Sequence, residues 1–266
     1  MLAAGFVACS SFGSDSASSP SPPATPSPPP SPPQGVDGSV GPDAAPPDAA
    51  TRFCTTPAPS DELYCEDFDE GLPQSAPNGY GSGCNAPKLT TANSNQAIEA
   101  IKGPSDPDAG PGCASYYPVA IDAALRKIRV SLDARVVSSS PTGYIEFLNV
   151  RGTTQAILDA SADAGTKTPA VALVVQNQLI QVEGPQGKVA TVNPPPAGPI
   201  HYDLIIDLDA GPNWLTVSAN GKKVTLTGLP ATPPFTAPFT VDYGLPYADK
   251  GAALDVVIDN VRITTP

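Results

Sequence analysis

Ile128-Arg129-Val130-Ser131-Leu132-Asp133-Ala134-Arg135-Val136 alternates apolar and polar residues without interruption. Successive side chains of an extended strand point to opposite faces. The stretch therefore predicts a strand with one face on a core and the other in water. Ile200-His201-Tyr202-Asp203-Leu204-Ile205-Ile206-Asp207-Leu208 repeats the device, as does Leu254-Asp255-Val256-Val257-Ile258-Asp259. Residues 170–175 form a continuous apolar run, as expected of a strand covered on both faces. Ser218-Ala219-Asn220-Gly221-Lys222-Lys223 places Asn-Gly between β-forming flanks, a strong hairpin signal.

Shorter segments of the same character predict strands at 144–150, 155–159, 179–183, 189–192, 214–218, 224–226 and 239–243. Turns rich in Gly, Pro and Asp separate them, with Asp-Ala-Gly at 108–110, 163–165 and 209–211. Helical periodicity is not sustained anywhere, and only 95–102 reads as a short turn of helix. Many short strands at this spacing predict an all-β fold of two packed antiparallel sheets.

Composition divides the chain into three. Residues 1–9 are an apolar lead ending at Cys9, and 10–51 are dominated by Pro, Ser, Gly, Ala and Asp. Proline fixes φ and lacks an amide donor, and the tract offers little to bury, so a disordered linker is expected there. At about 3.1 Å per residue, an extended Pro-rich tract is a spacer of considerable reach. Residues 52–266 suit one β domain. Phe6-Val7-Ala8-Cys9 resembles the bacterial lipobox, although Phe6 replaces the usual Leu and no Lys or Arg precedes it. The resemblance implies lipidation of Cys9 behind a signal segment entered partway, and attachment to the outer membrane or cell surface. An ordinary secretory signal is the other reading. No apolar run is long enough to span a bilayer.

The formal charge is -12, from 14 basic and 26 acidic residues, which argues against nucleic acid as a partner. Cys54, Cys65, Cys84 and Cys113 remain after Cys9. In an exported chain they suggest two disulfides, and loop-closure entropy favours Cys54–Cys65 and Cys84–Cys113 among the three pairings. Zinc is the competing use, without any C-x-x-C pair to support it.

The two ends of the domain carry a family resemblance. Leu63-Tyr64-Cys65-Glu66-Asp67-Phe68-Asp69-Glu70-Gly71 opens it and Val257-Ile258-Asp259-Asn260-Val261-Arg262-Ile263 closes it. Together they resemble the concanavalin A-like lectin and glucanase superfamily, including its laminin-G-like and laminarinase-like jelly rolls. Trp214 ahead of a strand and Asn220-Gly221 in a turn look like the same family's hairpin. The resemblance implies a jelly roll whose first and last strands pair. The end motifs then either simply pack or supply carboxylates to a structural calcium ion, with Glu66, Asp67, Asp69 and Asp259 as the matching residues. No EF-hand loop is present.

Laminarinase-like enzymes carry Glu-x-Asp-x-x-Glu on one strand, since a retaining glycosidase needs two close carboxyls. That motif is missing. Glu66 to Glu70 is acidic at the wrong spacing and reads as part of the first strand, while Glu146 has Leu148 at i+2 and Arg151 at i+5. His201 is the only histidine. Asp203 and Asp207 share its face, as in a relay or a solvated acidic stripe, and no Gly-x-Ser-x-Gly elbow accompanies them. For ligand binding the candidates are Tyr144, Glu146, Asn149 and Arg151, with Tyr116, Tyr117, Tyr243 and Tyr247 as further aromatic platforms; Trp214 reads as core.

The expected function is a non-catalytic, lipid-anchored surface module, monomeric, binding a glycan or cell-surface polysaccharide and requiring no cofactor beyond structural calcium. The alternatives are a glycoside hydrolase with an atypical site and a structural envelope protein that binds other proteins.

Overall fold

The structure, a computed structural model, describes residues 53–54, 60–81, 83–92, 95–103, 112–122, 124–153, 170–192 and 198–266. Cys9, the 10–51 linker, the strand expected at 155–159 and the Asp-Ala-Gly turns at 108–110 and 163–165 lie outside these residues.

Two antiparallel sheets face one another. The first is 8-stranded, ordered β13-β12-β11-β6-β15-β4-β3, with β1 also paired to β15. Its strands are β1 (Glu62–Glu66), β3 (Lys88–Ala92), β4 (Asn95–Lys102), β6 (Lys127–Ser139), β11 (Ile200–Asp207), β12 (Leu215–Ala219), β13 (Lys222–Lys223) and β15 (Leu254–Thr264). The second is 7-stranded, ordered β10-β9-β8-β7-β14-β5-β2. It comprises β2 (Asn78–Tyr80), β5 (Cys113–Ala120), β7 (Tyr144–Thr153), β8 (Ala170–Gln176), β9 (Leu179–Gly184), β10 (Gly187–Val192) and β14 (Thr236–Ala248). Among the described residues there is no α-helix, only a 3-10 turn at Gly211–Asn213. The architecture is a jelly-roll-like sandwich.

Alternation builds the core. Ile128, Val130, Leu132 and Ala134 of β6 are buried, whereas Arg129, Asp133 and Arg135 face outward. On β11, Tyr202, Leu204 and Ile206 do the same beside them in register. Each such Leu or Ile contributes about 1.5–3 kcal/mol by leaving water. Trp214 is wholly buried, edge-on to Phe235, and its indole N–H donates to the Pro230 carbonyl. Two disulfides, Cys54–Cys65 and Cys84–Cys113, tie the outlying segments to this core.

The structure corrects the sequence reading at several elements. Residues 95–102 form a strand, not a turn of helix. Gln, Ala and Glu favour helix weakly, but eight residues cannot sustain one alone. Here both backbone edges are taken, by β3 and β15, and Ile98 and Ala100 enter the core. The first strand ends at Glu66, so Asp67 to Glu70 form a turn in which Phe68 adopts φ 59° and its ring is buried. Residues 224–226 are not a strand. Val224 still donates its N–H to Val217 at the first sheet's edge, but Thr227 donates to Val189 on β10. The chain there crosses from one sheet to the other.

Strand β5 carries no clear signal in the sequence, since Pro118 interrupts it. Strand β2 stops opposite Tyr116, so Pro118 lies where β5 is the sheet's edge, a place that tolerates a residue without N–H. Gly244 of β14 lies opposite Tyr116 with φ 116°, and a Cβ there would stand 2.9 Å from the Ser115 carbonyl oxygen. Both the backbone angle and the close approach require glycine. Gly244→Ala is expected to lower unfolding free energy by about 1–3 kcal/mol, seen as a lower urea midpoint at unchanged m-value.

Candidate functional site

The outer face of the second sheet, turned away from the core, collects polar side chains from four adjacent strands. On β7, Tyr144, Glu146, Asn149 and Arg151 all lie on this face although the step from 146 to 149 breaks a period of two. A register shift between Glu146 and Leu148 accounts for it: Phe147 and Leu148 are both fully buried, and the alternation resumes in step. A bulge that re-aims side chains in this way is a recurrent feature near functional sites. The residues singled out from sequence are thus brought together.

Strand β14 contributes Asp242, opposite Asn149, and Tyr247, opposite Glu146. On the other side β8 supplies Ala172 and Val174, and β9 supplies Gln181 and Glu183. Tyr144, Ala172, Val174 and Tyr247 form a small apolar cluster separate from the main core, with the two rings 6.0 Å apart. The Glu146 carboxylate accepts from Tyr144 Oη at 2.8 Å and from Asn149 Nδ2 at 2.7 Å. Arg151 Nη2 donates to Asp242 Oδ1 at 3.2 Å and its Nε lies 2.9 Å from Oδ2. The Arg151 side chain keeps 37% of its surface exposed, whereas Asp242 is almost wholly buried. Burial pushes the Asp242 carboxyl up to about 6, against the pull of Arg151 and with a smaller push from Glu146. Desolvation here outweighs the ion pair. Burial and the nearby Glu146 hold the Tyr144 hydroxyl protonated far above its ordinary range.

Asp242 was invisible in the sequence because its neighbours come from strands far away along the chain. Tyr247 was among the aromatic candidates and lies partly exposed on this face, as does Tyr116. Tyr117 and Tyr243 are not available as platforms. Both are buried in the core, their rings 5.6 Å apart, and the Tyr243 hydroxyl is 2.6 Å from that of Tyr64.

The acidic residues at the domain ends lie elsewhere, where β1 and β15 meet. Asp67 and Asp69 stand near enough to Asp259 to act on it electrostatically, together with Asp133. Glu66 is drawn instead to the tyrosine cluster, with a hydrogen bond to Tyr64. Asp67 accepts N–H bonds from Cys54 and Asp69, Asp69 accepts from Gln96, and Asp259 accepts from Asn260. Calcium takes six to eight oxygens. Among the described residues no three His, Cys, Asp or Glu side chains gather in an arrangement that would hold a metal ion. Asp67, Asp69 and Asp259 each accept from the chain's own N–H groups.

His201 makes its side-chain hydrogen bond across the sheet. Its Nδ1 is 2.7 Å from Asp133 Oδ1 across the sheet, and Asp133 Oδ2 accepts from Asn260 Nδ2 at 2.6 Å. Asp203 is engaged by Arg129 and Asp207 by Lys127. The acidic stripe is a set of cross-strand pairs.

No protein-family model matches the chain, and no curated protein matches it in sequence. Solved structures do match its fold. The cellulose induced protein Cip1 superposes with a TM-score of 0.54 at 13% identity, covering 76% of this chain and 97% of its own. The conserved carbohydrate esterase of the Shiga toxin-encoding bacteriophage phi24B does so with a TM-score of 0.51 at 13% identity, covering 77% and 98%. Both likenesses are of fold.

Asp242 and Asp259 both carry carboxyls raised to about 6, from an ordinary value of 3.8. The folded state therefore binds these protons more tightly than the unfolded chain. Their contribution is complete below about pH 4 and is lost as pH rises through 6. Asp203 and Asp209, held low by Arg129 and Arg126, act in the opposite sense only at more acidic pH. Stability is expected to rise as pH falls from 7 to 5, by on the order of 1 kcal/mol for Asp242 and less for the more exposed Asp259. Asp242→Asn should flatten that rise in urea titrations at the two pH values.

Proposed function

We propose that this chain is an exported, lipid-anchored module that binds a glycan on the outer face of its second sheet, without cleaving it. The observation carrying the reading is the convergence of Tyr144, Glu146, Asn149, Arg151, Asp242 and Tyr247 on one sheet face, opposite the core. A sugar ring has an apolar face suited to an aromatic such as Tyr247 and hydroxyls suited to a linked set of amide, carboxylate and guanidinium groups. The names of the two structural neighbours, a cellulose induced protein and a carbohydrate esterase, point to the same class of ligand. Two disulfides agree with an oxidising, extracytoplasmic location. Among the described residues no helix is long and apolar enough to cross a membrane. The anchor is assigned to Cys9, at the head of a Pro- and Ser-rich spacer.

One observation favours a second reading. Asp242, raised to about 6, stands near Glu146 on the adjoining strand. Two neighbouring carboxyls are what glycoside hydrolysis requires.

Binding of soluble β-glucan, xylan and mannan, by affinity electrophoresis with parallel assay of reducing ends, tests both. Retarded migration with no released ends is expected, and Tyr247→Ala and Arg151→Ala should each weaken retardation about tenfold or more. Released oligosaccharide abolished by Glu146→Gln or Asp242→Asn would establish the hydrolase. Mass spectrometry of the mature amino terminus should find an acylated Cys9.

A further inference from the structure

The polar groups on the outer face of the second sheet are not neutral in what they ask of a ligand. Asn149 donates its Nδ2 to Glu146, which fixes the amide: turned over, its oxygen would face a carboxylate. Its Oδ1 is left buried with no donor. Gln181 is only 4% exposed and is fixed in the same way, by donation of Nε2 to the Gln176 carbonyl at 3.3 Å. Its Oε1 is likewise buried without a donor. Buried polar atoms are paired as a rule, so each orphaned acceptor calls for a physical reason. Both need an O–H or N–H. A sugar hydroxyl supplies one, whereas a carboxylate or sulfate cannot.

Charge points the same way. Glu146, Glu183 and Asp242 stand on this face. Arg151, the cation nearest their centre, already has Asp242 2.9 Å from its Nε. Lys188 lies on the far strand β10, in register with Glu183. An incoming anion would meet like charges and would have to compete with Asp242 for the guanidinium.

Building on the glycan reading above, we propose that this face selects uncharged, hydroxyl-rich sugars and rejects uronate or sulfate-bearing ones, with Gln181 and Asn149 as the acceptors that set the preference. Gln181→Met keeps the side chain's length and removes the acceptor, together with the bond from Nε2 to the Gln176 carbonyl.

The experiment compares the full chain's affinity for neutral oligosaccharides of glucose, xylose and mannose with that for oligomers of alginate and pectate, at low and high salt. Neutral ligands are expected to bind at least tenfold more tightly at low salt, with the gap narrowing as salt screens the carboxylates. Gln181→Met should weaken neutral binding by about tenfold with the unfolding midpoint little changed, since loss of the bond to the Gln176 carbonyl is offset by removal of an unpaired buried acceptor. Glu146→Gln combined with Asp242→Asn should gain affinity for the uronate oligomers. Tighter binding of alginate or pectate by the unaltered chain, lost in Arg151→Ala, would overturn the selectivity while leaving glycan binding intact. Failure of every glycan to bind would remove the underlying reading and the selectivity with it.

Discussion

The last strand holds the domain together. Strand β15 pairs along one edge with β6, and along the other with β4 through Leu254–Ile258 and with β1 through Val261 onward. Three segments far apart in sequence thereby become one sheet. The two partners on the shared edge leave a gap at Asp259 and Asn260, where the register against β6 shifts and Asn260 adopts φ 53°. The turn after β1 lies beside that gap, and Phe68 enters the core from it. Such closure is entropically costly, because the loops it joins are long. It is offset by Val256, Ile258, Val261 and Ile263, all fully buried, and by the disulfide that holds β1 to Cys54.

That closure frees the second sheet from any part in joining the chain's ends. Its central strand pair, β7 and β14, carries two register shifts, one on each side of Tyr243. The shift between Tyr243 and Tyr247 meets the one between Glu146 and Leu148, and past it Asn149 and Arg151 return to the outer face. Regular strands would have sent Asn149 and Arg151 inward once Glu146 faced out. The irregularity is therefore what converts a scattered set of polar residues into a neighbourhood.

Much of the fold was legible because burial imposes a period. Segments such as 128–136 and 200–208 have one face in water, so their alternation survives in the sequence. Asn220-Gly221 was legible for a local reason, since both residues adopt the positive φ that this turn demands. Strand β4 was misread because its strand character resides in partners on either side, not in its own residues. Strand β5 was missed because Pro118 is tolerated only through an edge position that the sequence does not reveal. The site was half legible. Tyr144, Glu146, Asn149 and Arg151 are close along the chain and could be gathered by inspection. Asp242 and Gln181 join them only through strand order, and the orphaned amide oxygens exist only once that order is known.

The two outer faces differ in a way that bears on function. On the first sheet, outward charges meet across strands as Arg129–Asp203, Lys127–Asp207 and Lys88–Glu99, each with one or both partners well exposed. Such pairs contribute little and ask little of their surroundings. On the second sheet, Glu146, Gln181 and Asp242 are buried, and Asp242 remains desolvated enough to resist ionisation despite its arginine. A half-satisfied buried network is less stable than an apolar surface of the same shape. The neighbouring Ala172 and Val174 show that this face accommodates apolar residues. Packing alone thus gives no reason for carboxylates and unpaired amides at its centre, and the physical case for a ligand rests on that cost.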